Sequence, residues 1–198
     1  GMVTAQVQQI AADNGLYYPV DFASAGSSQI GGNLATNAGG IKVIKYGMTR
    51  DWVLGITVVT GKGEILHLNK GLVKNNTGYD LRHLFIGAEG TLGIITEVTL
   101  KLTRPPQNLT AFVLGAPSMQ AVMQVLQKFQ SQLDLTAFEF FSNNALTRVV
   151  DMHKLPKPFE DPSPYYALLE FEAVNDAVTD TAMQAFEACV EESWVEDG

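Results

Sequence analysis

Glycine is concentrated in one part of this sequence. Of the 18 glycines in the 198 residues, 14 lie between Gly26 and Gly93. A glycine-rich stretch favours tight turns, and it lets the backbone come close to other backbone or to a ligand. The chain is therefore expected to contain a turn-rich region with exposed backbone, followed by a region of more ordinary composition.

Composition excludes several classes of protein. Apolar residues make up 46% and charged residues 17%, which suits a packed core better than a disordered chain. No apolar run approaches the roughly 18 residues of a membrane span, and no secretion signal is recognisable. Cys189 is the single cysteine, which excludes an internal disulfide framework. We expect a cytoplasmic globular protein.

The charge of the chain is uneven. The net charge is −8, which argues against a nucleic-acid backbone as the main partner. Residues 1–150 carry 11 Lys+Arg and 9 Asp+Glu, a net of +2, whereas residues 151–198 carry 2 and 12, a net of −10. The acidic end is either a solvated outer surface or a docking face for a basic partner.

Periodicity predicts few long elements in the glycine-rich part. Residues 23–40 show neither a strand pattern nor an amphipathic helix pattern. The elements predicted around them are a helix over 4–14 that ends at Gly15, a hairpin of strands over 53–59 and 64–68, one or two helical turns over 80–85, and a strand over 92–102.

The segment 104–107, Arg-Pro-Pro-Gln, breaks the pattern and predicts a boundary between domains 1–106 and 107–198. Beyond it, strands and helices alternate. The predicted elements are strands over 109–114, 137–141 and 165–171, and helices over 118–133, 144–152 and 176–191. This order indicates an α+β sandwich of ferredoxin-like type.

The first motif that could bind a ligand is IGGNLATNAGG, residues 30–40. Two glycine pairs would let backbone amides face a ligand, and Asn33, Thr36 and Asn37 add short polar side chains. Such a loop suits a phosphate or a flat heterocycle. It lacks the Lys-Ser/Thr of a P-loop and is not a G-x-G-x-x-G turn. On the residues alone, a ligand-binding loop and an inert connector both remain open.

The second motif is a glycine series that leads into a strand. Gly87, Gly90 and Gly93 recur at every third residue and bracket Glu89. Taken alone, this series is explained equally well by a loop that closes a sheet.

Together these segments resemble the vanillyl-alcohol oxidase / p-cresol methylhydroxylase (PCMH) family of FAD-linked oxidases. Within that family the sequence is most similar to the D-2-hydroxyacid dehydrogenases, the branch of D-2-hydroxyglutarate and D-lactate dehydrogenase and the glycolate oxidase flavin subunit. The run from NNTGYDL to FIGAEGTLGIIT, residues 75–96, is highly specific. The other segments that carry the resemblance are 30–40, 45–47, 53–66 and 104–106, and more weakly 137–141 and 165–172.

The resemblance implies an architecture and a cofactor. Residues 1–106 would form the second subdomain of a PCMH-type FAD-binding domain, and 107–198 the N-terminal part of an α+β, ferredoxin-like substrate domain. FAD would be bound non-covalently, with 28–40 along the pyrophosphate and flavin and 89–95 near the ribose and adenine. The implied cofactor contacts are Ser28, Ile30, Gly31, Gly32, Asn33, Thr36, Asn37, Gly39, Gly40, Gly87, Glu89, Gly90, Gly93, Ile94 and Ile95.

The resemblance also implies that the chain is a fragment. The first subdomain of the family, with its pyrophosphate loop, has no counterpart here, and the family's catalytic and metal-binding residues come later in its sequences. No catalytic or metal-binding residue is therefore predicted. His67, His83 and His153 are expected to be ordinary surface or packing residues.

The expected parent protein oxidises a D-2-hydroxy acid of the 2-hydroxyglutarate, lactate or glycolate type by hydride transfer to flavin N5. Its electrons would pass to an electron-transfer flavoprotein or a quinone. The 198-residue chain alone is expected to be inactive and to self-associate through exposed apolar surface. The alternatives are another flavoenzyme of the superfamily, of ether-lipid synthase or sugar-nucleotide reductase type, and a non-catalytic FAD-binding half-domain.

Overall fold

The structure, a computed structural model, describes all 198 residues. The chain divides into two compact units, Gly1–Pro105 and Pro106–Gly198. Each unit has its own three-stranded antiparallel sheet and its own hydrophobic core. No helix of either unit has both the length and the apolar character needed to cross a bilayer.

The first unit is built around a central strand. Its elements are α1 (Thr4–Asp13), α2 (Ile30–Thr36), α3 (Val43–Tyr46), a 3-10 turn (Thr49–Trp52), β1 (Val53–Thr60), β2 (Ile65–Leu68), α4 (Arg82–Phe85) and β3 (Gly93–Leu100). The sheet order is β2-β1-β3, and both neighbours run antiparallel to β1. The predicted first helix, hairpin, short helix and last strand are all confirmed.

The helix α2 was not predicted, because residues 23–40 lack a recognisable helical pattern. Two glycines near the start of α2 each cost about 1 kcal/mol relative to alanine in a helix interior. Ile30 and Leu34, one turn apart, are both buried in the core of this unit and outweigh that low propensity. The helix ends at Asn37, which adopts the left-handed conformation with φ of 49°.

The second unit follows the sequence prediction closely. Its elements are β4 (Leu109–Ala116), α5 (Met119–Gln130), β5 (Leu135–Ser142), α6 (Asn143–His153), β6 (Tyr165–Glu172) and α7 (Asp176–Glu191). The sheet order is β4-β6-β5, with β6 antiparallel to both neighbours. The strands β4 and β5 therefore run parallel, joined by α5 with β6 between them, which is the split β-α-β arrangement of ferredoxin-like folds. The α+β prediction is confirmed.

Helix ends and packing explain why the second unit forms these elements. Ser118, Ser142 and Asn175 each cap a helix by accepting a hydrogen bond from a backbone N–H in its first turn. The helices α5 and α7 both bury apolar side chains in the core, among them Phe129 and Cys189.

Candidate functional site

The helix α2 presents bare backbone to solvent. Gly31 and Gly32 are exposed, and a Cβ atom built on either glycine would have no other atom within 4 Å. Neither packing nor a positive φ requires glycine at these positions, and alanine would make the helix more stable. The remaining physical use of two such glycines is to let another molecule come close to the backbone.

The second glycine motif lies against the C-terminal turn of this helix. The backbone N–H of Gly87 donates to Leu34 O at 2.9 Å, and that of Glu89 donates to Ala35 O at 2.9 Å. Gly87, Glu89 and Gly90 all have positive φ, a backbone conformation that residues with a Cβ rarely adopt. The structure thus brings the two sequence motifs, 30–40 and 87–90, into direct contact.

Asn37 and Arg50 join the two motifs. Asn37 Oδ1 accepts a hydrogen bond from the backbone N–H of Arg50 at 3.0 Å. The Arg50 guanidinium Nη2 donates to the carbonyl oxygen of Ile86 at 3.1 Å, next to Gly87. Arg50 was not among the residues predicted for the site. The residue lies outside both glycine motifs, so no spacing rule would have found it.

Some of the predicted contact residues are engaged within the protein. Asn33 is buried and its Nδ2 donates to Thr4 Oγ1 at 2.7 Å, while the hydroxyls of Thr4 and Ser28 lie 2.8 Å apart. Thr36 Oγ1 donates to the Gly32 carbonyl at 3.0 Å. A Cβ on Gly40 would overlap the Asp21 carbonyl oxygen. These groups shape the segment, and direct contact with FAD remains a prediction for each of them.

The isoleucines of the two motifs differ in exposure. Ile30 and Ile95 contribute to the core of the first unit, whereas the Ile94 side chain is 63% exposed. Gly93 opens β3, where a Cβ would lie 2.7 Å from Val59 O, and a Cβ on Gly39 would lie 3.1 Å from Val43 Cγ2. Both of these glycines are therefore explained by packing within the protein.

An apolar groove of about 460 Å³ lies beside the bare face of α2. The predicted contact residues Ile30, Gly31 and Ile95 line it, with Met2, Val7, Leu34, Val98 and Leu100 among the other walls. Apolar walls next to free backbone amides match the chemistry of a ligand that combines a flat heterocycle with phosphates. The residues present therefore fit a flavin nucleotide.

The loop before α4 is anchored by an ion pair. Arg82 Nε donates to Asp80 Oδ1 at 2.8 Å, and Arg82 Nη1 donates to the Val53 carbonyl at 2.6 Å. The hydrogen bond from Arg82 lowers the pKa of the Asp80 carboxyl. His83 Nε2 lies 3.4 Å from Asp80 Oδ2. This cluster fixes the loop to the start of β1.

The remaining histidines, His67 and His153, belong to other elements than the glycine motifs. His67 Nδ1 lies 3.1 Å from Thr57 Oγ1 on the exposed side of the sheet, and His153 lies at the end of α6. No group of three or more His, Cys, Asp or Glu side chains is placed to hold a metal ion.

Family models match most of the chain. Residues 1–69 match the model described as "FAD binding domain", and residues 105–198 match "FAD linked oxidases, C-terminal domain".

Named relatives and a solved structure agree with these models. A D-2-hydroxyglutarate dehydrogenase of Stutzerimonas stutzeri is 65% identical over the whole chain, which covers 43% of that protein. The mitochondrial D-2-hydroxyglutarate dehydrogenase of Bos taurus is 40% identical over 86% of the chain and 31% of its own length. A structure of alkyldihydroxyacetonephosphate synthase matches 99% of the chain and 38% of its own, with a TM-score of 0.74 and 22% identity, which is evidence for the fold alone.

The chain spans about two-fifths of the length of the first of these curated relatives. Its two units correspond to two models that belong to the same kind of flavoprotein. The chain therefore contains parts of an FAD binding domain and of the C-terminal domain of FAD linked oxidases, and the cofactor that these domains indicate is FAD.

Proposed function

We propose that this chain is the flavin-contacting part of an FAD-dependent D-2-hydroxyacid dehydrogenase. The observation that carries the proposal is that one short helix, α2, has a bare face at Gly31 and Gly32 and is bonded at its C-terminal turn to residues 87–90. An apolar groove lies beside the first turn of α2, where Ile30 and Gly31 line it. D-2-hydroxyglutarate is proposed as the substrate because two relatives of this chain carry that name.

The chain's own residues would bind and orient the cofactor. Gly31 and Gly32 would allow the closest approach to backbone, and the positive-φ turn at Gly87 and Gly90 would supply a second wall. Ile94 would offer an exposed apolar contact. When bound, FAD supplies the acceptor for the hydride that leaves the hydroxylated carbon of the substrate.

The part of the machinery that holds the substrate is proposed to come from other segments of the parent protein. The chain is therefore expected to bind FAD without oxidising a hydroxy acid by itself. We further propose that the bound flavin is non-covalent, that the parent protein is cytoplasmic, and that an electron-transfer flavoprotein or a quinone accepts its electrons. Self-association through the exposed apolar side chains of the first unit is also proposed.

A chimera tests the proposed activity without depending on the isolated chain. The matching segment of the Stutzerimonas stutzeri relative would be replaced by this chain, which aligns to it along its whole length. We expect the chimera to bind FAD and to reduce a dye with D-2-hydroxyglutarate, and to act more slowly on D-lactate and glycolate. The unmodified relative is the control.

Three results would contradict the proposal. A folded chimera without flavin absorbance would show that residues 30–40 and 87–95 do not serve an FAD site. A chimera that holds FAD but oxidises only another hydroxy acid would replace the proposed substrate, while a chimera that holds FAD and oxidises none would contradict the dehydrogenase function.

A further inference from the structure

Arg50 makes hydrogen bonds to both segments of the candidate FAD site. Its backbone N–H donates to Asn37 Oδ1 at the end of α2, and its guanidinium donates to the carbonyl of Ile86. Ile86 is buried in the core of the first unit and directly precedes the turn at residues 87–90. A single residue thus links the two segments, through its backbone N–H at the end of the helix and through its side chain at the residue before the turn.

The geometry around Gly87 shows how closely this side chain is packed. A Cβ on Gly87 would lie 3.3 Å from Asn37 Cβ and 3.4 Å from Arg50 Nη2. The guanidinium therefore lies directly against the turn, where a larger residue would crowd it. Beside it, the amides of Gly87 and Glu89 close the turn onto α2 through the carbonyls of Leu34 and Ala35.

Arg50 differs from Arg82, the other arginine of this unit whose guanidinium donates to the carbonyl of a residue far along the chain. Arg82 bonds to the Val53 carbonyl and is also held by the Asp80 carboxylate. The Arg50 guanidinium has the Ile86 carbonyl as its partner and no carboxylate within ion-pair distance. The position of Arg50 is therefore not explained by an ion pair, and its bond to the turn is the interaction that its side chain makes.

We propose that Arg50 is a positioning residue that clamps the turn at residues 87–90 onto the end of α2. The clamp fixes the relative position of the two segments before the cofactor binds. The inference rests on the proposed function in one respect, namely that both segments contact FAD. Preformed sites bind more tightly because less ordering remains to be done on binding.

Two variants of Arg50 and two control variants, all of the full chain, test the clamp. Arg50→Met keeps a long side chain and removes the donors, while Arg50→Lys keeps one donor that can reach the carbonyl. Ile56→Val, in the core of β1, lowers the stability of the same unit without touching the clamp. Arg148→Met, on an exposed position of α6, repeats the chemical change far along the chain.

The first readout is amide hydrogen exchange in the absence of FAD. Arg50→Met is expected to accelerate exchange at Gly87 and Glu89 by about tenfold, the effect of losing one hydrogen bond from a charged donor. Arg50→Lys should restore most of the protection. Arg148→Met should leave both amides as in the wild type, and Ile56→Val should affect them no more than the rest of its unit.

The second readout is the dissociation constant for FAD, measured by quenching of flavin fluorescence. Arg50→Met is expected to weaken binding by about tenfold, with partial recovery in Arg50→Lys and less than about twofold change in both controls. If Arg50 contributed only to general stability, Arg50→Met and Ile56→Val would raise the dissociation constant for FAD to a similar extent. A larger increase in Arg50→Met than in Ile56→Val therefore distinguishes the clamp from a loss of stability.

The outcomes separate this inference from the proposed function. Unchanged exchange at Gly87 and Glu89 in Arg50→Met would overturn the clamp. Faster exchange with unchanged FAD affinity would overturn its role toward the cofactor. A wild-type chain that binds no FAD would count against the proposed function, and the exchange measurement would then decide for or against the clamp by itself.

Discussion

Each of the two units contains its own three-stranded antiparallel sheet, and the units differ in backbone conformation. All seven glycines with positive φ lie in the first unit, and none lies in the second. In the second unit, five of the eight residues of the central strand β6 are buried, and α5 and α7 contribute to its core. Two of these glycines, Gly87 and Gly90, form the turn at the candidate cofactor site, whereas the second unit is organised around side-chain packing.

This difference has consequences for stability. Substitutions in the second unit should act through lost packing, whereas substitutions in the first should act mainly through backbone geometry and polar contacts. Each of the following changes tests one side of that contrast.

The largest effect is expected from Phe129→Ala in the second unit. Phe129 is fully buried on α5, and its ring meets that of Phe112 edge to face at 6.2 Å between centroids. Loss of a buried phenyl group typically costs about 3–5 kcal/mol of unfolding free energy. Urea denaturation measures the loss, and a cost below about 1 kcal/mol would refute the packed-core description of this unit.

The reactivity of the Cys189 thiol provides an independent measure of the effect of Phe129→Ala. The cysteine is fully buried on α7, and burial raises the pKa of its thiol. We expect it to resist a thiol reagent in the folded wild type and to react faster in Phe129→Ala.

The next largest effect is expected from Gly40→Ala in the first unit. The new methyl group would overlap the Asp21 carbonyl oxygen, so the backbone must move, at a cost of about 1–3 kcal/mol. Gly26→Ala is the matched control, because its Cβ would meet nothing within 4 Å. Equal unfolding free energies for the two variants would show that Gly40 is not fixed by this close approach.

A smaller effect on stability, of opposite sign in the two units, is expected when a buried tyrosine is replaced by phenylalanine. The Tyr18 hydroxyl of the first unit is buried without a hydrogen-bond partner, and burial raises the pKa of Tyr18 to about 12. Tyr18→Phe is expected to stabilise the protein by about 1 kcal/mol, because an unpaired polar group leaves the core.

The matched change in the second unit is Tyr166→Phe. The Tyr166 hydroxyl accepts a hydrogen bond from the Ser163 N–H at 3.1 Å. Its removal is expected to cost about 1 kcal/mol. Thermal unfolding of both variants should therefore show shifts of opposite sign, and shifts of the same sign would contradict the assignment of partners.

The smallest effect concerns acid stability. The hydrogen bond from Arg82 lowers the pKa of Asp80 in the folded state. The stability that this carboxylate contributes is therefore present above its ordinary pKa and is lost as the pH falls through the lowered folded value. The Asp80 side chain is about two-fifths exposed, so the contribution is small.

An NMR titration of the carboxyl groups checks this prediction. Arg82→Met should raise the pKa of Asp80 toward its ordinary value and flatten the decline of stability below that pH. An unchanged Asp80 titration in Arg82→Met would show that the cause of the shift lies elsewhere.

The sequence predicted the second unit better than the first for a physical reason. Its helices have apolar residues at helical spacing and capping residues at their start, such as Ser118 and Asn175, so local and tertiary preferences agree. In the first unit, α2 forms against its own propensity, and Ile30 and Leu34 are the apolar residues that it buries in the core. Because Gly31 and Gly32 have no side chains, they contribute nothing to an amphipathic pattern, and periodicity does not predict the helix.

The sequence predicted the two segments of the candidate site but not the hydrogen bonds that join them. Glycine spacing and the family resemblance indicated 30–40 and 87–95. The bonds from Gly87 and Glu89 to α2 join residues about fifty positions apart in the chain, which no local pattern reveals. The role of Arg50 depends on the same long-range contact.

The central claim is that the bare face of α2 exists for a cofactor and at the expense of helix stability. The most direct test compares the wild-type chain with the double variant Gly31→Ala, Gly32→Ala in both unfolding free energy and FAD affinity. The account predicts a more stable protein, by up to about 1 kcal/mol for each glycine, that binds FAD at least about tenfold more weakly. A double variant that binds FAD as tightly as the wild type would contradict it.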